Sequence, residues 1–360
     1  MRVLYLCLLI LTLTSTSASA NENIAYDKIA ERAFIHYIQP AVKKFEAETS
    51  VTSLLIGALC ENPDQKGLTS VRQQFKRSLK AWSAVEILRF GPLITDNNYE
   101  RFQFYPDRKG LALKIIRRAF VSRAPDLINP ELLVNKSIVL HGFGALEYIL
   151  FGANSDTLIR ETPQAIYRCA LARTISIIMS RNAATLRNSW SSKNFARFFL
   201  NPSVTNPIYK TSREPVAELI KTLTTILQAA TDQKLGPPLG KDRKFTRPKL
   251  AIFYRSEQTF KSIQNNMKNA DKLFQSARFD QLLDEDSHWV STAITTEFAN
   301  LDRLLNKLHG IPVQEAFLEK KHRVTISLIR ISIAVLYDHL KNTYANAAGL
   351  LVGFNALDGD

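Results

Sequence analysis

Past its first twenty residues the chain has no apolar run of the roughly 20 residues that a membrane-spanning helix takes. The most apolar late stretch, 324–352, is interrupted by Arg330, Asp338, His339 and Lys341, which a lipid-facing helix does not carry. Cysteine is scarce: Cys7, Cys60 and Cys169 are the whole set, and none forms a Cys-x-x-Cys pair, so thioredoxin-like exchange and structural zinc get no support. No Gly-x-Ser-x-Gly, His-Glu-x-x-His or phosphate-cradling glycine loop occurs. That removes the usual signatures of α/β-hydrolases, zincin peptidases and P-loop enzymes. The acidic group Asp280, Asp284, Glu285 and Asp286 lacks the central glycine and terminal glutamate spacing of a calcium loop, and reads instead as capping before a helix. Period-two alternation is nearly absent, which leaves little from which to build a sheet. There is no low-complexity tract and no short-period repeat.

What is present starts with a leader. Arg2 is basic, residues 3–13 are almost continuously apolar, and Ala18-Ser19-Ala20 offers small residues for cleavage after Ala20. Asn21 follows where a lipoprotein needs a cysteine, so the expected product is exported, without a lipid anchor, to the periplasm or cell envelope. Cys7 leaves with the leader. Cys60 and Cys169 then either pair in an oxidising compartment or stay apart as buried thiols, and spacing does not choose between the two. A 46% hydrophobic share with 22% charged residues is globular. The net charge of +14 is spread in small clusters such as Arg117-Arg118, 241–244 and 320–323. Export argues against nucleic acid as the partner, and the basic surface allows peripheral contact with anionic headgroups.

Helical periodicity dominates. It predicts helices over 26–59 with a kink at Pro40, from Ser70 to about Leu88, over 110–122, and from Asn129-Pro130 towards Leu150, weakened by Gly142 and Gly144. Further helices are predicted from Thr162-Pro163 to Trp190, over 212–234, 256–275, 289–308 and 313–347, with 236–255 a loop. The weakest joint is 201–206, where Pro202 and Pro207 bracket short polar residues. The expectation is an all-α protein of two packed helical bundles, 21–200 and 207–360.

Several separated segments resemble the imelysin family of exported, iron-regulated bacterial proteins, proposed to include metallopeptidases. Trp82 to Pro92 resembles its tryptophan helix with a Phe-Gly-Pro end, and Phe104-Tyr105-Pro106-Asp107 its Trp-Pro-Asp loop. Gly142 to Gly152 stands where the family carries Gly-x-His-x-x-Glu. Lys234-Leu235-Gly236 and Tyr254-Arg255-Ser256 resemble the loop leading into an Arg-Ser helix start, and 353–360 the terminal segment. The resemblance implies two helical bundles with a cleft between them, an envelope location, and a link to iron acquisition. Arg89, Tyr105, Asp107, Gly142, Gly144, Arg255 and Ser256 are its candidate cleft residues.

His and Glu three residues apart on a helix lie about 300° round from one another and share a face, so both reach one metal. In this chain the triplet reads Gly142-x-Gly144-x-x-Glu147, and a glycine has no side chain with which to ligate. His141 precedes Glu147 by six residues, about 9 Å and 240° in a regular helix. Those side chains diverge unless the helix breaks at Gly142 or Gly144. The ordinary alternative for His141 is a hydrogen bond to a backbone carbonyl. For Glu147, set among Leu146, Tyr148 and Ile149, the alternatives are a ligand-binding role or a buried salt bridge to Arg255 or Arg89. Gly142 and Gly144 also suit close approach of a neighbouring helix.

Beside the plain option of an envelope scaffold or interaction module with no small ligand, two functional expectations follow. One is a non-catalytic envelope component that binds an iron-related ligand, such as iron, another divalent metal or haem, or a partner in iron or haem uptake. The other is a metallopeptidase that uses Glu147 with a histidine outside the motif: His141, His36, His288, His309, His322 or His339.

Overall fold

In the computed structural model the described residues are 24–107, 109–351 and 353. The expected leader, and all of the terminal segment except Gly353, lie outside them. No described residue is in a strand, so the fold is all-α. Among the described residues no helix is long and apolar enough to cross a membrane.

The long helices are α1 (24–61), α2 (Gln65–Glu86), α3 (Leu111–Ser122), α4 (Gly142–Phe151), α5 (Pro163–Ser189), α6 (213–239), α7 (Thr259–Ala277), α8 (His288–Asn306) and α9 (Lys320–Asp338). α1, α2 and α5 pack together; α7, α8 and α9 do likewise, and α2 lies against α7. The starts follow the expected capping chemistry. Asn129 accepts from Glu131 N–H at 2.9 Å with Pro130 in the first turn, and Thr162 Oγ1 accepts from Ala165 N–H at 3.3 Å ahead of Pro163. Asp64 caps α2 through Gly67 N–H, so that helix starts five residues before Ser70. In the acidic group, Asp284 Oδ1 accepts from Ser287 N–H at 2.9 Å just before α8.

Pro40 does not end α1. A wide π turn, Phe34–Ile38, directly precedes Gln39, whose N–H reaches Phe34 O. The altered register is where a proline without N–H is tolerated. A second π turn, Ala229–Leu235, carries α6 onward into Gly236–Leu239, where the expected loop was to begin. Pro237 and Pro238 fit there because Gly236–Leu239 starts a new α-helical turn after the π segment, and the first turn of a helix needs no N–H donors.

The helix expected from 129 to 150 is broken. It becomes a short helix Pro130–Leu133, a 3₁₀ turn Ile138–Leu140, and then α4. Gly142 makes the break, with φ of +69°, and a Cβ there would sit 2.3 Å from Phe102 O. Any other residue would be both strained and obstructed. Close approach thus holds at Gly142, to the backbone of the short helix Asn98–Phe102, and fails at Gly144, where a Cβ would meet nothing within 4 Å.

Aromatic packing fixes α4 in place. Trp82 is fully buried, with ring centroids 5.4 Å from Phe45, 5.2 Å from Phe102 and 6.1 Å from Phe143. Phe143 in turn packs edge-on against Phe253 at 6.3 Å. Each such pair contributes about 0.5–1.5 kcal/mol beyond area burial. This chain of rings runs from α1 through α2 and α4 to segment 251–258. Cys60 and Cys169 are joined in a disulfide between α1 and α5, with Cα atoms 5.6 Å apart.

Candidate functional site

A cavity of about 300 Å³ opens between α3, α4 and the segment 249–255. Its lining is mostly apolar, including Phe104, Leu113, Tyr148 and Phe253, with Glu147, His141, Asp107, Lys249 and Arg255 as the charged or titratable members. Tyr105 and Gly144 line it too. Arg89, Gly142 and Ser256 are not among its lining residues.

Glu147 is 3% exposed. Ser256 donates to its Oε1 twice, from N–H at 3.0 Å and from Oγ–H at 2.7 Å. Both donors point the same way because Ser256 is held in a turn between Phe253 and Glu257, which both have positive φ, at 53° and 57°. That turn delays α7 to Thr259, three residues past the expected start. Arg255 Nη1 stands 3.8 Å from Glu147 Oε2, and its guanidinium lies over Tyr254 at 4.4 Å and Tyr148 at 5.1 Å. Of the two cations considered for Glu147, Arg255 is therefore the neighbour, through a loose ion pair. Burial pushes the Glu147 carboxyl above its ordinary value, against the pull of Ser256 and Arg255.

His141 occupies the position just before α4 in an extended conformation, without a capping hydrogen bond, and is 3% exposed. Its Nε2–H donates to Leu133 O at 3.0 Å, and its buried Nδ1 has no partner. Burial holds the imidazole below its ordinary pKa, with Arg101 adding to the effect and the Leu133 carbonyl opposing it. Asp107 is occupied as a cap, since its two oxygens accept from Leu111 and Ala112 N–H at 2.8 and 2.9 Å. Tyr105 OH donates to Gln233 O at 2.7 Å and so ties the aromatic loop to α6.

An Imelysin family model, labelled peptidase M75, matches residues 38–329. The chain belongs to the imelysin family. Among solved structures it is similar to an imelysin-like protein from Psychrobacter arcticum 273-4, with a TM-score of 0.75 and 16% identity over 92% of this chain and 98% of that one. It is also similar to an iron-regulated protein A precursor from Parabacteroides distasonis ATCC 8503, with a TM-score of 0.71 and 14% identity over 90% and 95% of the two chains. At these identities the likeness speaks for the fold. No curated protein matches the chain.

This imelysin does not offer a metal the donors its motif implies. Gly144 brings no side chain, and the space above it is open. Glu147 already accepts two hydrogen bonds from Ser256 and has a guanidinium at its other oxygen. Among the described residues no three His, Cys, Asp or Glu side chains come together as a ligand set. His36, His288, His309, His322 and His339 are absent from the cavity lining. His322 instead stands 3.4 Å from Glu315, and His288 lies 3.0 Å from Leu283 O.

Beside the cavity lies a buried charged network that motif reading missed. Lys234 Nζ is 2.7 Å from Glu86 Oε1 and donates to Asn266 Oδ1 at 2.7 Å. Asn266 Nδ2 donates to Ser83 O and Glu86 Oε2, both at 3.0 Å, and Tyr99 OH donates to Glu86 Oε1 at 3.2 Å. Arg89 belongs here, 3.9 Å from Glu86 and 2.5 Å from Tyr99 OH, and not with Glu147. Burial alone would raise the Glu86 carboxyl, but Lys234 and Arg89 overcome it and hold it below its ordinary value. The sequence carried the signal. Glu86 stands among Val85, Ile87 and Leu88, as Glu147 stands among its own apolar neighbours.

Proposed function

We propose that this imelysin is a non-catalytic envelope protein whose cavity binds an iron-related ligand in a complexed, organic form instead of a bare ion. The observation that carries the reading is Glu147 engaged by Ser256 beside an open space at Gly144, where the motif's imidazole is missing. A bare cation entering the cavity would meet two carboxylates already engaged by hydrogen bonds, Glu147 and Asp107, and two cations, Arg255 and Lys249. An apolar molecule with an acidic group finds matching walls and a guanidinium already set between two aromatic faces. The leader expected at 1–20, the disulfide, and the description of the Parabacteroides neighbour as an iron-regulated precursor support export and the iron link.

Calorimetric titration with haem, ferric iron and zinc tests this. Haem, as the apolar acid, is expected to bind, and the bare ions to give no heat. Arg255→Ala is expected to weaken haem at least tenfold, since a hydrogen bond to a charged group is worth about 1.5–3 kcal/mol. Chelator-sensitive peptide hydrolysis abolished by Glu147→Gln would instead establish the metallopeptidase reading, with the free Nδ1 of His141 as its nearest imidazole.

A further inference from the structure

Helix α9 is apolar on both sides. Ile326, Ile329, Ile333 and Leu336 are buried in the core. The opposite side carries Val324, Leu328, Ile331 and Val335, exposed by 54, 45, 61 and 41%. A helix on a protein surface ordinarily turns a polar face to water. Scattered exposed apolar residues need no explanation, but these four form one stripe. Their spacing of four, three and four residues is that of the seam along which two helices interlock. Ser327 and Ala334, also exposed, flank the stripe and are small enough to let a second backbone close in.

The stripe is also symmetric about the point between Ile329 and Arg330. Turned end for end about that point, α9 lays Val324 on Val335, Leu328 on Ile331, and Lys321 on Asp338. Lys321 and Asp338 are both exposed, and they bound the stripe with opposite charges. We propose that α9 pairs antiparallel with α9 of a second copy of this chain across a two-fold axis at that midpoint. Such an interface is isologous, so one stripe supplies both halves of every contact, and each dimer gains two Lys321–Asp338 pairs. A bilayer is the less suitable occupant. Lys320, Lys321 and Arg243 gather at the N-terminal end of the stripe, whereas the acidic Asp338 closes the other.

The seam from Val324 to Val335 is only about 16 Å long, which places the contact at the small end of stable interfaces, with an affinity in the micromolar range. Sedimentation equilibrium of the chain from Asn21 to Asp360, from about 1 to about 100 µM, brackets that range. The expected result is a mass that doubles with concentration. Leu328→Asp is expected to raise the dissociation constant at least tenfold, with far-UV circular dichroism and the unfolding midpoint unchanged. Lys321→Asp and Asp338→Lys should each weaken the dimer, and the two together should restore it by reversing the pair. That rescue is what a merely loosened fold would not give. A monomer across the whole range overturns the proposal. So does a dimer indifferent to all three variants, or a monomer that docks on anionic lipid vesicles through Leu328.

Discussion

Replacing Lys234 by methionine is expected to destabilise the protein by about 3–5 kcal/mol, the usual consequence of leaving one partner of a buried ion pair uncompensated. Glu86 and Lys234 are 0% and 1% exposed, so water cannot take over the solvation of the survivor. Asn266 and Tyr99 would still donate to Glu86, but neither carries charge, and the Arg89 guanidinium at 3.9 Å is too far away to replace the 2.7 Å contact of Lys234. The double variant Glu86→Gln/Lys234→Met is expected to recover most of the loss, because it removes both charges from the low-dielectric interior. Urea unfolding of the three proteins checks this, and a double variant no better than the single would show that the network's shape matters more than its charge. The pH dependence has a definite sign. A carboxyl held below its ordinary value contributes stability that is full above its unfolded pKa and is lost as pH falls through the folded one. The parent protein should therefore weaken at acid pH through Glu86, and a Glu86→Gln variant should lack that component.

Removing the disulfide is the other large change. Cys60 and Cys169 are 109 residues apart, and cross-linking a loop of that length is worth about 4–5 kcal/mol in the chain-entropy account. The double variant Cys60→Ser/Cys169→Ser is expected to unfold at correspondingly lower denaturant. Reductant should shift the parent protein by a similar amount and leave the variant where it is. Detection of two free thiols in unfolded, unreduced protein would contradict the pairing. α1 and α5 already pack extensively along their lengths, so the variant is expected to fold to the same helical content.

These sites were unequally legible. Helices came through because an apolar period near 3.6 is a local property, and so did the caps at Asn129 and Thr162, where side chain and backbone are neighbours. The π turns did not, because what decides them is whether the surroundings can use a shifted register. In α6 that use is the delivery of Lys234 to Glu86 from another helix. Gly142 read as a weak point inside a helix, whereas its left-handed backbone and contact with Phe102 make it the helix's start. Pro237-Pro238 read as a loop for a similar reason: prolines exclude a helix interior and suit a helix's first turn equally well. Spacing alone left Cys60 and Cys169 open, since nothing in a 109-residue interval encodes a tertiary contact. At the candidate site the glutamate, its arginine neighbour and the missing histidine were all visible in the motif. The two hydrogen bonds from Ser256 were not, since they depend on the turn that sets its N–H and hydroxyl together. The outward stripe of α9 read only as a helix too charged to span a membrane; its exposure is a tertiary fact.

The account rests on the absence of an imidazole at position 144, next to a carboxylate that its neighbours already hold. Metal content is the direct measurement. Purified protein equilibrated with zinc or ferrous iron, desalted and assayed by elemental analysis, is expected to retain neither ion in stoichiometric amount. Gly144→His, placed where a Cβ meets nothing within 4 Å and one turn before Glu147, is expected to gain zinc affinity by tenfold or more. Stoichiometric metal in the parent protein, lost on Glu147→Gln, would contradict the account.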